Sequence, residues 1–248
     1  MFDAEVVALV AGLRGIARGK VVKVEFTLSN FEGFFRNRRG RQFRDATAWA
    51  RERLRDGAAD FELHYVSPPT KWLGLKTVRR SYSVYGERAC IATSTDCRAE
   101  HWLQENWVVD GGDPPWRTKF VRKRHMRRFE PGLSVDEATV LLKEAAQANA
   151  ELARVDGEVG WDEYFEKVIR LVDGERRELS PYIVRLPQEV LTQEGHRLFV
   201  SAQSIPALTN MGGWSDGPFR DNDAFERCFT LLADARLRAF EACANNAS

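Results

Sequence analysis

The chain has 248 residues, 44% of them hydrophobic and 29% charged, with 15 Phe and 7 Trp. That is the size of one large domain or two small ones, with side chains enough to fill a core, and it excludes a disordered chain. Four Cys are too few for a disulfide framework, and the apolar run "VVALVAGL" is too short to span a bilayer. Asp3 and Glu5 stand where a signal peptide carries basic residues, so an intracellular, cytoplasmic protein is expected. The bias toward Arg and Ala suggests a GC-rich bacterial genome.

The net charge of +1 hides an uneven layout. Residues 1–132 carry 25 Lys/Arg against 16 Asp/Glu, a net of +9; residues 133–248 carry 12 against 20, a net of −8. Such a split points to a polyanion, to an acidic protein partner, or to two lobes that attract each other. A basic lobe over 1–132 and an acidic, helix-rich lobe over 133–248 would express it, and so would one domain with two unlike sides.

In chain order, Val6, Leu9, Val10, Leu13 and Ile16 recur at helical spacing over 4–17, and Gly19 ends that element. "VVKVEFTL" (21–28) alternates as a strand does. "FFRNRRGRQFR" (34–44) has no period and reads as a basic loop. A helix is expected from Asp45 to a stop at Gly57, then a strand in "FELHYV" with Phe61, Leu63 and Tyr65 inward and His64 outward. "SPPTKWLG" must be extended or turning, "SYSVYGERACIAT" suggests a hairpin or broken strand around Gly86, "DCRAEHWLQENW" a short helix, and "DGGDPPW" an irregular connection.

In the second half, "LSVDEA" is a capping box, with Ser134 as cap and Glu137 three residues on. Its helix turns Val135, Ala138, Leu141, Leu142, Ala145 and Leu152 to one face, and a second helix runs from Trp161 to Val172 and stops at Gly174. "SPYIVRLP" and "GHRLFVSAQSIP" read as strands joined by "QEVLTQE". "NMGGWSDGPFRDND" is a Gly-rich loop, and a last helix is expected to open with a capping box at Asp223 and Glu226. Its stripe runs through Phe225, Cys228, Phe229, Leu232, Ala235, Ala239 and Phe240, and Cys228 and Cys243 read as small core residues. Helices and strands mix without strict alternation, so the expected class is α+β, with mainly antiparallel strands packed with helices.

The stretch "WRTKFVRKRHMRRFEP" (116–131) is the main functional candidate, with seven Lys/Arg among Trp, Phe, Val and Met. Phosphates want cations, and single-stranded bases want aromatic planes to stack on. Arg122, Lys123, Arg124, Arg127 and Arg128 would contact phosphates together with Lys119; Trp116, Phe120 or Phe129 would stack. Arg36, Arg38, Arg39 and Arg41, with Arg79 and Arg80, would extend the surface. No recognised RNA- or DNA-binding motif accompanies them.

Three other candidates are thinner. Cys90, Cys97 and His101 are spaced C-x6-C-x3-H but lack a CxxC knuckle and need a fourth ligand such as His125 or Cys228, so no metal is expected. His101, beside Glu100 and near Glu105, and His125, among cations, are the candidates for acid–base chemistry. "DFELH" (Asp60, Glu62, His64) is a poor echo of a nuclease acidic pair, and His196 completes the four histidines. Trp214, Asp216 and Arg220 in the Gly-rich loop would form a small ligand surface, although a Trp packed on the core is the commoner arrangement. No GxSxG, HExxH, P-loop or GxGxxG is present, and no cofactor is expected.

The expectation is a non-enzymatic binding protein whose basic first half holds a polyanion, most simply RNA or single-stranded DNA. A protein-interaction module for an acidic partner, such as a complex subunit or antitoxin, is the alternative. A His-dependent hydrolase or nuclease is the third.

Overall fold

The structure is a computed structural model that describes residues 2–20, 31–36, 42–43, 45–66, 88–94, 99–108, 116–123, 129, 131–158, 160–175, 186, 190–205, 214 and 219–247. Among these it has an α+β fold. Helices α1 (Phe2–Ala17), α2 (Ala46–Arg55), α3 (Val135–Asp156), α4 (Trp161–Val172), α5 (Gln193–Ser204) and α6 (Asn222–Asn245) accompany one sheet. Its strands are β1 (Phe31–Arg36), β2 (Gln42–Phe43), β3 (Asp60–Val66), β4 (Arg88–Ser94), β5 (Ala99–Val108) and β6 (Trp116–Lys123). Strands β3 to β6 form an antiparallel meander; β1 adds parallel to β6 and β2 antiparallel to β1, giving the order β2-β1-β6-β5-β4-β3.

Local chemistry sets the helix limits. The Asp45 side chain accepts from the Thr47 and Ala48 N–H groups to open α2, and Gly57 after it takes φ 94°, a conformation open to Gly. Ser134 and Glu137 form the expected capping box at α3. Helix α6 opens two residues earlier than its sequence suggests: Asp221, not Asp223, accepts from the Asp223 and Ala224 N–H groups.

Two segments take the other secondary structure. "EHWLQENW" is strand β5, not a helix, because pairing with β4 and β6 on both sides buries Trp102 completely. "GHRLFVSAQS" is helix α5, not a strand: Thr192 caps the Gly195 N–H, and Leu198, Phe199 and Ala202 are buried at helical spacing. The basic loop at 34–44 is in part β1 and β2, with Phe35 opposite Phe43. The strand expected over 21–28 and the connections over 67–74 and 109–115 lie outside the described residues, as does the strand expected over 180–187 apart from Leu186, which is in neither a helix nor a strand.

Alternation divides the sheet into two faces. One face meets α1, α2 and α6 and buries Phe61, Leu63, Ile91, Trp102, Phe120 and Phe35. Phe35 stacks on Trp49 of α2 at 3.8 Å and lies 5.3 Å from Phe120, while Trp49 and Trp102 meet edge to face at 5.1 Å. The buried apolar residues of both halves of the chain form one cluster.

The outer edge of β3 is closed by side chains. Asn245 of α6 accepts from the Leu63 N–H at 2.7 Å and donates to the Leu63 carbonyl at 2.8 Å, as a neighbouring strand would. Glu241 accepts from the Tyr65 N–H at 2.6 Å, and Arg14 of α1 donates to the Phe61 carbonyl at 3.1 Å. Edge groups that would otherwise recruit another strand are thereby satisfied.

Candidate functional site

The basic stretch from Trp116 to Lys123 is β6, so its residues alternate between the faces. Phe120 lies on the helix side, fully buried against Phe35, and has no ring face to offer a base; the stacking role expected for it gives way to packing. Arg122 is on the same side, where it bonds to Glu100, and Glu100 also faces Arg53 at 3.5 Å. Lys119 and Lys123 project from the opposite face. Both reach one carboxylate, Glu105 on β5: Lys123 at 2.7 Å and Lys119 at 3.2 Å. Burial works to raise the Glu105 pKa, but hydrogen bonds from the two lysines hold it below the ordinary carboxylate value. The lysine side chains keep 24% and 35% of their surface, so both ammonium groups stay within reach of solvent.

Farther along this face lie two histidines. His64 is on the side of β3 opposite Leu63, as expected, but is only 5% exposed instead of solvated. His101 on β5 is 6% exposed. Both are covered by Phe129, whose ring stacks parallel on His64 at 4.1 Å and meets His101 edge to face at 5.2 Å. Cys90 and Ala92 on β4, between the histidines, are small enough to leave the ring room. His64 Nε2 lies 3.3 Å from Glu62 Oε2, a hydrogen bond that lowers the Glu62 pKa. Burial, and then the charge of His64, push the His101 pKa below its usual value. Burial pushes the Cys90 thiol up to about 12, so it stays protonated.

The remaining candidates separate. Cys97 and His125 lie outside the described residues, and no group of three metal-ligating side chains occurs among the described ones. His101 lies on strand β5 and not on the helix that the expected metal spacing needs. Trp214 is a core residue rather than a ligand contact: it is buried among Trp161, Phe165 and Phe219, and its Nε1 donates to Asn149 Oδ1 at 2.9 Å. Arg220 is exposed, and Asp216 lies outside the described residues. His196 stands in the second turn of α5, away from the sheet. Arg38, Arg39, Arg41, Arg79, Arg80, Arg124, Arg127 and Arg128 also lie outside them, while Arg36 ends β1 and Trp116 begins β6.

Local sequence reading misses the acidic partners Glu100 and Glu105 and the Phe129 cover. The turn-forming "DGGDPP" between "EHWLQENW" and the basic stretch was the one local signal that an acidic segment turns back beside basic β6.

No protein-family model matches the chain, and neither does any curated protein or solved structure. Among the described residues, no helix is long and apolar enough to cross a membrane.

Proposed function

We propose that the chain is a non-enzymatic binding protein that holds a polyanion, RNA or single-stranded DNA, on the sheet face bearing Lys119 and Lys123. The observation that carries this reading is the pair of partly exposed lysines that meet on Glu105, at the start of a sequence that continues through Arg124, Arg127 and Arg128. Phosphate oxygens would compete with Glu105 for the lysine ammonium groups, and affinity would come from counterion release rather than base reading. A reducing compartment such as the cytoplasm suits it, in keeping with the free thiols of Cys90, Cys228 and Cys243.

The test is fluorescence anisotropy of labelled single-stranded RNA and DNA over a range of salt. Log affinity should fall linearly with log salt, and Lys119→Ala with Lys123→Ala should each reduce the slope by about one. Unchanged affinity after reversing Arg124 and Arg127 to Glu would remove the reading. A stoichiometric protein partner that survives nuclease treatment would replace it with the acidic-partner alternative.

A further inference from the structure

We propose that Phe129 is a cover released by acid from the His64–His101 pair, and that its release turns this sheet face into a stronger site for phosphate-bearing polymers. The second part rests on the function proposed above; the first does not.

The closed arrangement keeps both imidazole rings out of water. One phenyl ring lies on His64 and against His101, and both imidazoles are more than nine-tenths buried. The described charged and titratable groups facing the pair are few. Strand β3 offers Glu62, which is already bonded to His64. Asp60, at the start of β3, is tied to Arg14 at 3.0 Å and lies 3.7 Å from Arg18. Strand β4 offers the protonated Cys90 thiol, β5 offers Glu105, and β6 offers Lys119 and Lys123, which occupy Glu105. One carboxylate therefore serves two imidazoles, and among the described residues none pairs with His101.

The direction follows from this. A neutral His101 fits beneath the ring; a charged one, buried next to a charged His64, does not. His101 takes up a proton less readily in the closed form than when exposed, so the closed form is fully favoured above the ordinary histidine pKa of about 6.5. It loses ground as pH falls below that value, until the closed form itself is protonated. In that window opening gains up to about tenfold per pH unit for each proton taken up. Once the ring leaves, His101 can take up a proton close to Lys119 and Lys123, and the described part of this face gains positive charge.

The experiment places 4-fluorophenylalanine at position 129 of the full chain and follows its fluorine resonance from pH 8 to pH 5. A transition with its midpoint below about pH 6.5 is expected, and His101→Phe, whose ring stays uncharged, should abolish it. His101→Gln, also neutral throughout, serves if the phenylalanine variant does not fold. A resonance that does not move in the wild type, or moves equally in the neutral variant, overturns the proposal. Poly(U) affinity, measured in the same buffers, should rise on acidification about tenfold more in the wild type than in the neutral variant. If the ring moves while poly(U) is bound at neither pH, the cover stands and the polyanion reading falls.

Discussion

Lys119 and Phe120 are chain neighbours on β6, yet they belong to different environments. Phe120 meets Phe35, and through it Trp49 and Trp102, in an aromatic layer closed to water. Lys119 stands on the opposite face, sharing Glu105 with Lys123 and keeping part of its surface in solvent. The covered face takes most of its stability from apolar burial, which depends little on charge screening or titration. The other face is held by ion pairs and a buried imidazole pair, which respond to both. A strand passing between them allots alternate residues to structure and to solvent, so a basic, aromatic-rich stretch is two half-stretches with separate tasks.

The largest effect should come from the covered face. Phe120→Ala empties a site ringed by aromatic side chains and should cost about 3–5 kcal/mol in denaturant unfolding, a loss unchanged by salt. A loss below about 1 kcal/mol would mean that the aromatic layer is not packed as described.

An intermediate effect is expected where α6 closes the edge of β3. Asn245→Ala removes the acceptor for the Leu63 N–H and the donor to its carbonyl. With backbone groups left unpaired, stability should fall by about 1–3 kcal/mol. The freed edge should also raise the tendency to associate, which light scattering at rising concentration would detect. Asn245→Asp keeps the acceptor but not the donor and should fall between the two.

The parts of this molecule that are legible in its sequence are those whose signals are local. The Asp45 and Ser134 caps, the Gly57 and Gly174 stops, the stripes of α1 and α6 and the alternation of β3 all lie within a few residues of what they control. Strand β5 is misread because Ala99, Glu100, Leu103, Gln104 and Glu105 favour a helix in isolation, and two partner strands distant in sequence override them. Helix α5 is misread for the converse reason: Leu198, Phe199 and Val200 suggest a strand, while the Thr192 cap and burial against neighbouring helices decide for a helix. Of the candidate site, the lysines are visible in the sequence. The acids that hold them, and the ring that covers His64 from 65 positions away, are set by tertiary contacts that no local period encodes.

The smallest effect on stability should be on the lysine face, where it separates the two faces most cleanly. Lys119→Ala leaves Glu105 its shorter contact, the 2.7 Å pair with Lys123, so no buried charge is stranded. Partly exposed pairs of this kind contribute about 0–1 kcal/mol, and the loss should shrink further as salt is raised. Glu105→Gln should act in the opposite direction on binding: it removes the carboxylate that competes with phosphate for both lysines, and so should strengthen single-stranded RNA binding while costing little stability. Lys119→Ala and Glu105→Gln measured together, by unfolding and by anisotropy, should therefore move affinity in opposite senses while leaving stability within about 1 kcal/mol. If both variants weaken binding and destabilise the fold alike, the lysine face is part of the scaffold, and its resemblance to the covered face goes deeper than the alternation of β6 suggests.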